Sequence, residues 1–262
     1  MVGFRATSFQ MGSSSDDALQ AFLQCKHEPW GHRCDPTQFA NETPPRTITL
    51  SAYWLDRTEV TVRDYQRCVE AGHCRAVPFS AGAARFASPR FPMSLVRWED
   101  AANYCRFRSA RLPTEAEFER AARGVQRRAY PWGDLYNSKL SNHGRLGWNP
   151  SSEADGYAEL APVGSFGTGA SPEGIFDLAG NVAEWVADRY LAPYDISEKV
   201  DPIGPNDSRL PRVVRGGSFE SGAAWLRGAA RVPVPEDTQA PTIGFRCARS
   251  THSPAALGPA AH

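Results

Sequence analysis

The stretch VVRGGSFESGAAWLRGAAR, from Val213 to Arg231, is the part of the chain whose reading decides the rest. It opens on two β-branched residues, turns through Gly216 and Gly217, and offers a hydroxyl at Ser218. A short strand running into paired glycines reads as a turn, because glycine reaches backbone angles that a Cβ penalises. Arg215, Arg227 and Arg231 punctuate the stretch, and Gly228 weakens any helix joining the last two. It holds no cysteine. That absence governs the functional reading.

Composition places the chain among ordinary globular proteins. Its 262 residues suffice for one domain or two, with 41% hydrophobic and 22% charged content. The 29 basic residues cancel the 29 acidic ones, so no nucleic-acid footprint stands out. No apolar run approaches the roughly 20 residues that span a bilayer. The opening, MVGFRATSFQMGSS, lacks the basic start and apolar run of a signal peptide. The cysteines nevertheless point to an oxidising compartment. Cys25 and Cys34 bracket one short polar loop and Cys68 and Cys74 another, a spacing that favours disulfides over buried thiols. An export signal would then be missing from this chain. Cys105 and Cys247 lie far apart, and many pairings of the six remain open. No CxxC or histidine array supports a metal role for them.

Residues 3–12 read as an opening strand and 13–46 as an irregular polar insertion. Thr47–Trp54 alternates as a half-buried strand does. Thr61 and Asp64 resemble a capping box for a helix ending near Gly72. A loop over 75–92 precedes helical spacing over Val96–Phe107. Thr114-x-x-Glu117 is a clearer capping box, followed by the stripe Phe118, Ala121, Ala122 and a stop at Gly124. Beyond it lie turns and short strands, with Gly180-Asn181 arguing against a helix over 174–188. One domain over 1–249 with a flexible tail over 250–262 is the expected organisation.

These pieces together resemble the formylglycine-generating enzyme family, the sulfatase-modifying factor domain. The matching motifs run in order: Phe9-Gln10-Met11-Gly12, Thr58-Glu59-Val60-Thr61, Ala102-Asn103-Tyr104-Cys105 and Arg111 through Phe118. Arg123-Gly124, Pro131-Trp132-Gly133, Gly180 through Trp185, Arg215-Gly216-Gly217-Ser218 and Gly244-Phe245-Arg246-Cys247 complete them. The resemblance implies an α+β, C-type-lectin-related fold with little regular secondary structure. It also implies that Cys105 pairs with Cys247, as the family's long-range structural disulfide.

Family members oxidise a cysteine of a sulfatase peptide to formylglycine, with oxygen and a copper ion held by two cysteines just after the GGS turn. Here those positions carry Ser221 and Leu226. A serine hydroxyl is a poor, hard ligand for Cu(I) and leucine is none, so the resemblance implies a member without copper and without this oxidase activity. The family's calcium sites match Asn142, His143, Asp155 and Tyr157 in one set, and Asp177, Gly180, Val182 and Glu184 in the other. Such mixtures of carboxylate and main-chain oxygen suit calcium.

The expected function is therefore a periplasmic, secreted or envelope-attached bacterial protein binding a peptide or other ligand in the former active-site groove. Trp132, Ser218, Phe219, Trp225, Arg227 and Arg231 are its expected lining; the plain alternative is that the aromatics are core and the arginines surface charges. A divergent enzyme of the same family, cofactor-light or a non-haem metal oxidase or maturation factor, is the competing reading. The histidines form no facing pair that would favour an iron site, and no GxSxG elbow supports a serine hydrolase.

Overall fold

The computed structural model describes residues 1–28, 31–77, 79, 82–144, 155–194 and 197–251. In chain order the elements are β1 (Val2–Phe4), β2 (Thr7–Met11), α1 (Ser15–Lys26), α2 (Thr37–Ala40), β3 (Arg46–Leu50), β4 (Tyr53–Leu55) and α3 (Val62–Glu70). There follow α4 (Trp98–Phe107), α5 (Glu115–Arg123), β5 (Ala183–Arg189), β6 (Arg212–Arg215), β7 (Arg231–Val234), β8 (Ile243–Gly244) and β9 (Ala248–Ser250). The strands form three small sheets, ordered β1-β4-β9, β2-β3 and β7-β6-β5-β8. This is an α+β arrangement of short elements.

The centre is α5. Thr114 Oγ accepts the N–H of Glu117 while the Glu117 carboxylate accepts the N–H of Thr114, which satisfies two otherwise orphaned donors. Gly124, at φ +64°, ends the helix. The apolar stripe Phe118, Ala121 and Ala122 packs on Phe4, Phe9, Tyr53, Leu55, Ile175 and Val186. A second core joins α3 and α4 to Trp185, Val214 and Phe245 and contains the Cys105–Cys247 disulfide. Closing a loop with a sequence separation of 142 stabilises by about 5 kcal/mol in the chain-entropy account. Cys68–Cys74 ties the end of α3, and Cys25–Cys34 closes the loop after α1.

Three sequence expectations need correction. The insertion over 13–46 contains α1, opened by a Ser14–Asp17 capping box, with Ala18, Ala21 and Cys25 packed on Phe39 and Ala224. Its apolar pattern is blurred because Leu19 and Leu23 are exposed. The strand over 3–12 is in fact two, β1 on β4 and β2 on β3, and Thr47–Trp54 divides likewise at Ser51-Ala52. Each half serves a different sheet. Residues 252–262 of the expected tail lie outside the described residues.

Alongside its apolar stripe, α5 buries charge. Glu119, fully buried, lies 2.6 Å from Arg215 and 2.8 Å from Arg123, and accepts the Gly12 N–H at 2.7 Å. Arg215 also donates to the carbonyls of Gly228, Ala229 and Ala230. Burial alone would push the Glu119 carboxyl up, but Arg215 and Arg123 outweigh it and hold it below the usual glutamate range. Removing one partner of such a pair leaves an uncompensated buried charge. Glu119→Gln is therefore expected to lower unfolding free energy by about 3–5 kcal/mol in urea titrations at neutral pH. A loss below about 0.5 kcal/mol, typical of a surface change, would contradict this role.

Candidate functional site

At the end of β6 the chain turns through Gly216 (φ +87°) and Gly217 (φ +66°). A Cβ on Gly217 would lie 2.9 Å from the Trp225 carbonyl oxygen, so glycine permits both the conformation and the close approach. The turn is then tied by its hydroxyls. Ser221 Oγ accepts the Ser218 N–H at 2.9 Å, Ser218 Oγ accepts the Glu220 N–H at 3.2 Å, and the Ser221 N–H donates to the Ser218 carbonyl. Beside it opens a groove of about 390 Å³. Val214, Val232, Val234, Ala183 and Ile243 line it from the β7-β6-β5-β8 sheet; Ser218, Glu220, Ser221 and Trp225 line it from the turn. An apolar cavity with a few convergent polar groups is the usual form of a ligand site.

Of the residues expected there, the structure brings together Ser218 and Trp225. Phe219 packs instead with Phe86, Leu160 and Val182. Trp132 stacks on Tyr130 at 5.2 Å and lines a different cavity. Arg227 grips the Glu42 carboxylate, and Arg231 lies 2.7 Å from Glu115 with its guanidinium over the Tyr194 ring. The arginines are buried because each meets a carboxylate distant in sequence, a pairing that local spacing does not reveal. The valines of β6 and β7 were missed because their shared face exists only once the strands pair.

Ser221 is partly exposed at the groove, and Leu226 is fully buried against Tyr130 and Ala179. All six cysteines are consumed in the three disulfides. No thiolate pair is left to hold copper.

The two calcium-type sets differ in fit. In the first, Asp155 accepts the N–H groups of His143 and Tyr157 at 2.7 and 2.9 Å. Asn142 donates to Glu159 and Asn181, and among the described residues its buried Oδ1 has no hydrogen-bond partner, an orphaned oxygen of the kind that can take a cation. In the second, both Glu184 oxygens are already gripped by Arg246, at 2.6 and 2.7 Å, and Asp177 accepts the Gly164 N–H. The charge there is unbalanced. Burial pushes the Glu59 carboxyl well up, and its neighbours Asp177 and Glu184 push it further. Gly180 fits its place only without a Cβ, which would collide with the Asn142 carbonyl oxygen. The Val182 N–H lies 3.3 Å from Glu59. Among the described residues, no group of three or more histidine, cysteine or acidic side chains converges as a metal site.

A family model described as the sulfatase-modifying factor enzyme 1-like domain matches residues 2–251, and the chain belongs to that family. The chain is 32% identical to the formylglycine-generating enzyme of Thermomonospora curvata, over 82% of this chain and 88% of that one. It is 34% identical to the inactive C-alpha-formylglycine-generating enzyme 2 of Bos taurus, over 68% of this chain and 55% of that one. The chain thus spans about half the length of the mammalian relatives it matches. Among solved structures, PvdO from Pseudomonas aeruginosa has the same fold, with a TM-score of 0.75, 24% identity and coverage of 95% and 93% of the two chains. No helix among the described residues is long and apolar enough to cross a membrane.

Asp188, on β5, accepts the Glu115 N–H at 2.7 Å beside a cavity of about 220 Å³ also lined by Arg46, Tyr194 and Arg231. Burial, reinforced by the Glu115 carboxylate, raises its carboxyl to about 8; the Glu115 N–H and Arg231 oppose this only in part. The folded chain thus keeps a proton that the unfolded chain releases near pH 4, so this group's contribution to stability falls as pH rises from about 4 to 8. Asp188→Asn preserves the acceptor and is expected to flatten the melting temperature between pH 5 and 8 while raising it at pH 8 (a window set by that raised value). An unchanged slope would contradict the assignment.

Proposed function

We propose that this chain is an extracytoplasmic, ligand-binding member of its family that does not carry out copper-dependent cysteine oxidation. The observation that carries this is the loss of both sulfur donors, at Ser221 and Leu226, with every remaining cysteine in a disulfide. Soft thiolates select Cu(I), and the hydroxyl and methyl groups at these positions cannot replace them. The bovine relative whose name calls it inactive supports the view that members persist without the reaction. The groove at the GGS turn supports binding of a peptide or other extended ligand. The three disulfides support a periplasmic, secreted or envelope-attached setting. Lectin-type kinship, implied by the family, suits a scaffold whose loops present a ligand.

Calcium is proposed as a structural ion held by Asn142, His143, Asp155 and Tyr157, on the strength of the orphaned Asn142 oxygen. At the second set, Asp177, Gly180 and Val182 would hold it with Glu184 shared by Arg246, supported by the excess of carboxylate there. A bound ion would neutralise buried carboxylate and tie irregular backbone.

Purified protein supplied with copper and oxygen is expected to form no aldehyde on a cysteine-containing sulfatase-type peptide. Aldehyde at the cysteine would overturn the non-oxidase reading. For calcium, EDTA is expected to lower the melting temperature and added calcium to restore it; identical melting curves would count against a structural ion.

A further inference from the structure

We infer that the cavity beside Asp188 is a second binding site, one that takes a small monocarboxylate. The carboxylate would meet Asp188 and Arg46, and a short apolar body would lie along Leu191, Pro202 and Ile203. This site shares no ligand with the groove at the GGS turn, so the two readings stand or fall independently.

The polar end follows from a buried group with a spare oxygen. Asp188 is 4% exposed, and its Oδ2 accepts the Glu115 N–H at the start of α5. No donor among the described residues reaches its Oδ1, which lies on the cavity side near Gly204. A buried polar atom left without a partner is costly, and a ligand can supply one. Burial and the Glu115 carboxylate raise this carboxyl to about 8, so at neutral pH it carries a proton. With Oδ2 spent on the Glu115 N–H, that proton is best placed on Oδ1. The group it donates to must be an acceptor.

The sign of the occupant's charge follows from the surrounding side chains. Arg46 from β3, Arg189 from β5 and Arg231 from β7 line the cavity, against Glu115 from α5 and Glu198. Glu117 on α5 and Arg212 on β6 also act on Asp188. Both Glu115 oxygens are held by Arg231, at 2.7 and 2.8 Å, and one also accepts the Tyr194 hydroxyl at 3.3 Å. The Arg46 guanidinium lies over the Tyr194 ring at 4.3 Å. A bare cation here would meet three guanidinium groups and a protonated carboxyl. A carboxylate gains the Asp188 O–H and the charge of Arg46, and such charge-assisted hydrogen bonds are the strong ones.

The body of the ligand follows from the opposite wall. Pro202, Ile203 and Pro205 form it, with Gly204 at φ +70° turning the chain close to the Arg189 carbonyl. Two prolines fix this wall before anything binds. Ile203 lines the cavity and is nevertheless 63% exposed, so an apolar body would cover it. Inorganic phosphate would leave that wall bare.

The test is calorimetric titration of hexanoate into the native protein, Asp188→Asn and Ile203→Ser at pH 7 and pH 9, with hexylamine and inorganic phosphate as comparison probes. Hexanoate is ionised at both values, so any change reads the protein's own proton. The protonated fraction of Asp188 falls from about nine-tenths to about one-tenth, and the native Kd is expected to weaken about tenfold. Asp188→Asn offers an N–H in place of the O–H and should bind with the same Kd at both pH values. Ile203→Ser, at an exposed position, should bind about threefold more weakly and keep the pH dependence. No hexanoate binding at pH 7, a native Kd that is constant or tightens at pH 9, or loss of binding in Asp188→Asn would overturn the inference. So would hexylamine binding in place of hexanoate, displacement of hexanoate by equimolar phosphate, or an unchanged Kd in Ile203→Ser.

Discussion

Four buried arginine–carboxylate pairs, Arg215–Glu119, Arg231–Glu115, Arg227–Glu42 and Arg246–Glu184, hold the irregular half of this molecule in place. The element-poor segments around the GGS turn cannot satisfy their own backbone by helix or sheet. Arg215 does it for them, donating to three successive carbonyls while its charge is balanced on α5. Burying such pairs is costly, and apolar replacements are often as stable. What the ion pairs add here is position: Arg215, Arg231 and Arg227 tie the 213–231 stretch to α5 and to the segment before β3.

The functional consequence is a division of labour between scaffold and chemistry. The turn through Gly216 and Gly217 carries the glycines, the serine and the buried arginine on which the family resemblance rests. At the two positions where the resemblance implies copper ligands, Ser221 holds a hydroxyl that accepts a main-chain N–H and Leu226 fills the core against Tyr130. The shell survives and the reactive centre does not. What remains there is a groove lined by Val214, Val232 and Ile243 from the sheet and by Ser218, Glu220 and Trp225 from the turn.

Local signals made α5 legible in the sequence. Thr114 and Glu117 form the capping box they spell, and Gly124 stops the helix with a positive φ. The two close cysteine pairs could be read from spacing, whereas Cys105–Cys247 came through family resemblance and not from the residues themselves. The groove was legible only in part. Ser218 and Trp225 lie near the turn in sequence, but Val214, Val232 and Ile243 meet through pairing of distant strands. Arg227 and Arg231 misled because their partners, Glu42 and Glu115, come from far away in the chain. The helix α1 was hidden by exposed Leu19 and Leu23 on its outer face.

With sulfur lost from both positions, the protein should no longer hold a soft metal there. Competition of the native, disulfide-intact protein with a chromophoric Cu(I) chelator measures this directly. The chelator is expected to keep all of the copper. Withdrawal of one equivalent of Cu(I) by the protein, with all three disulfides still closed, would contradict it.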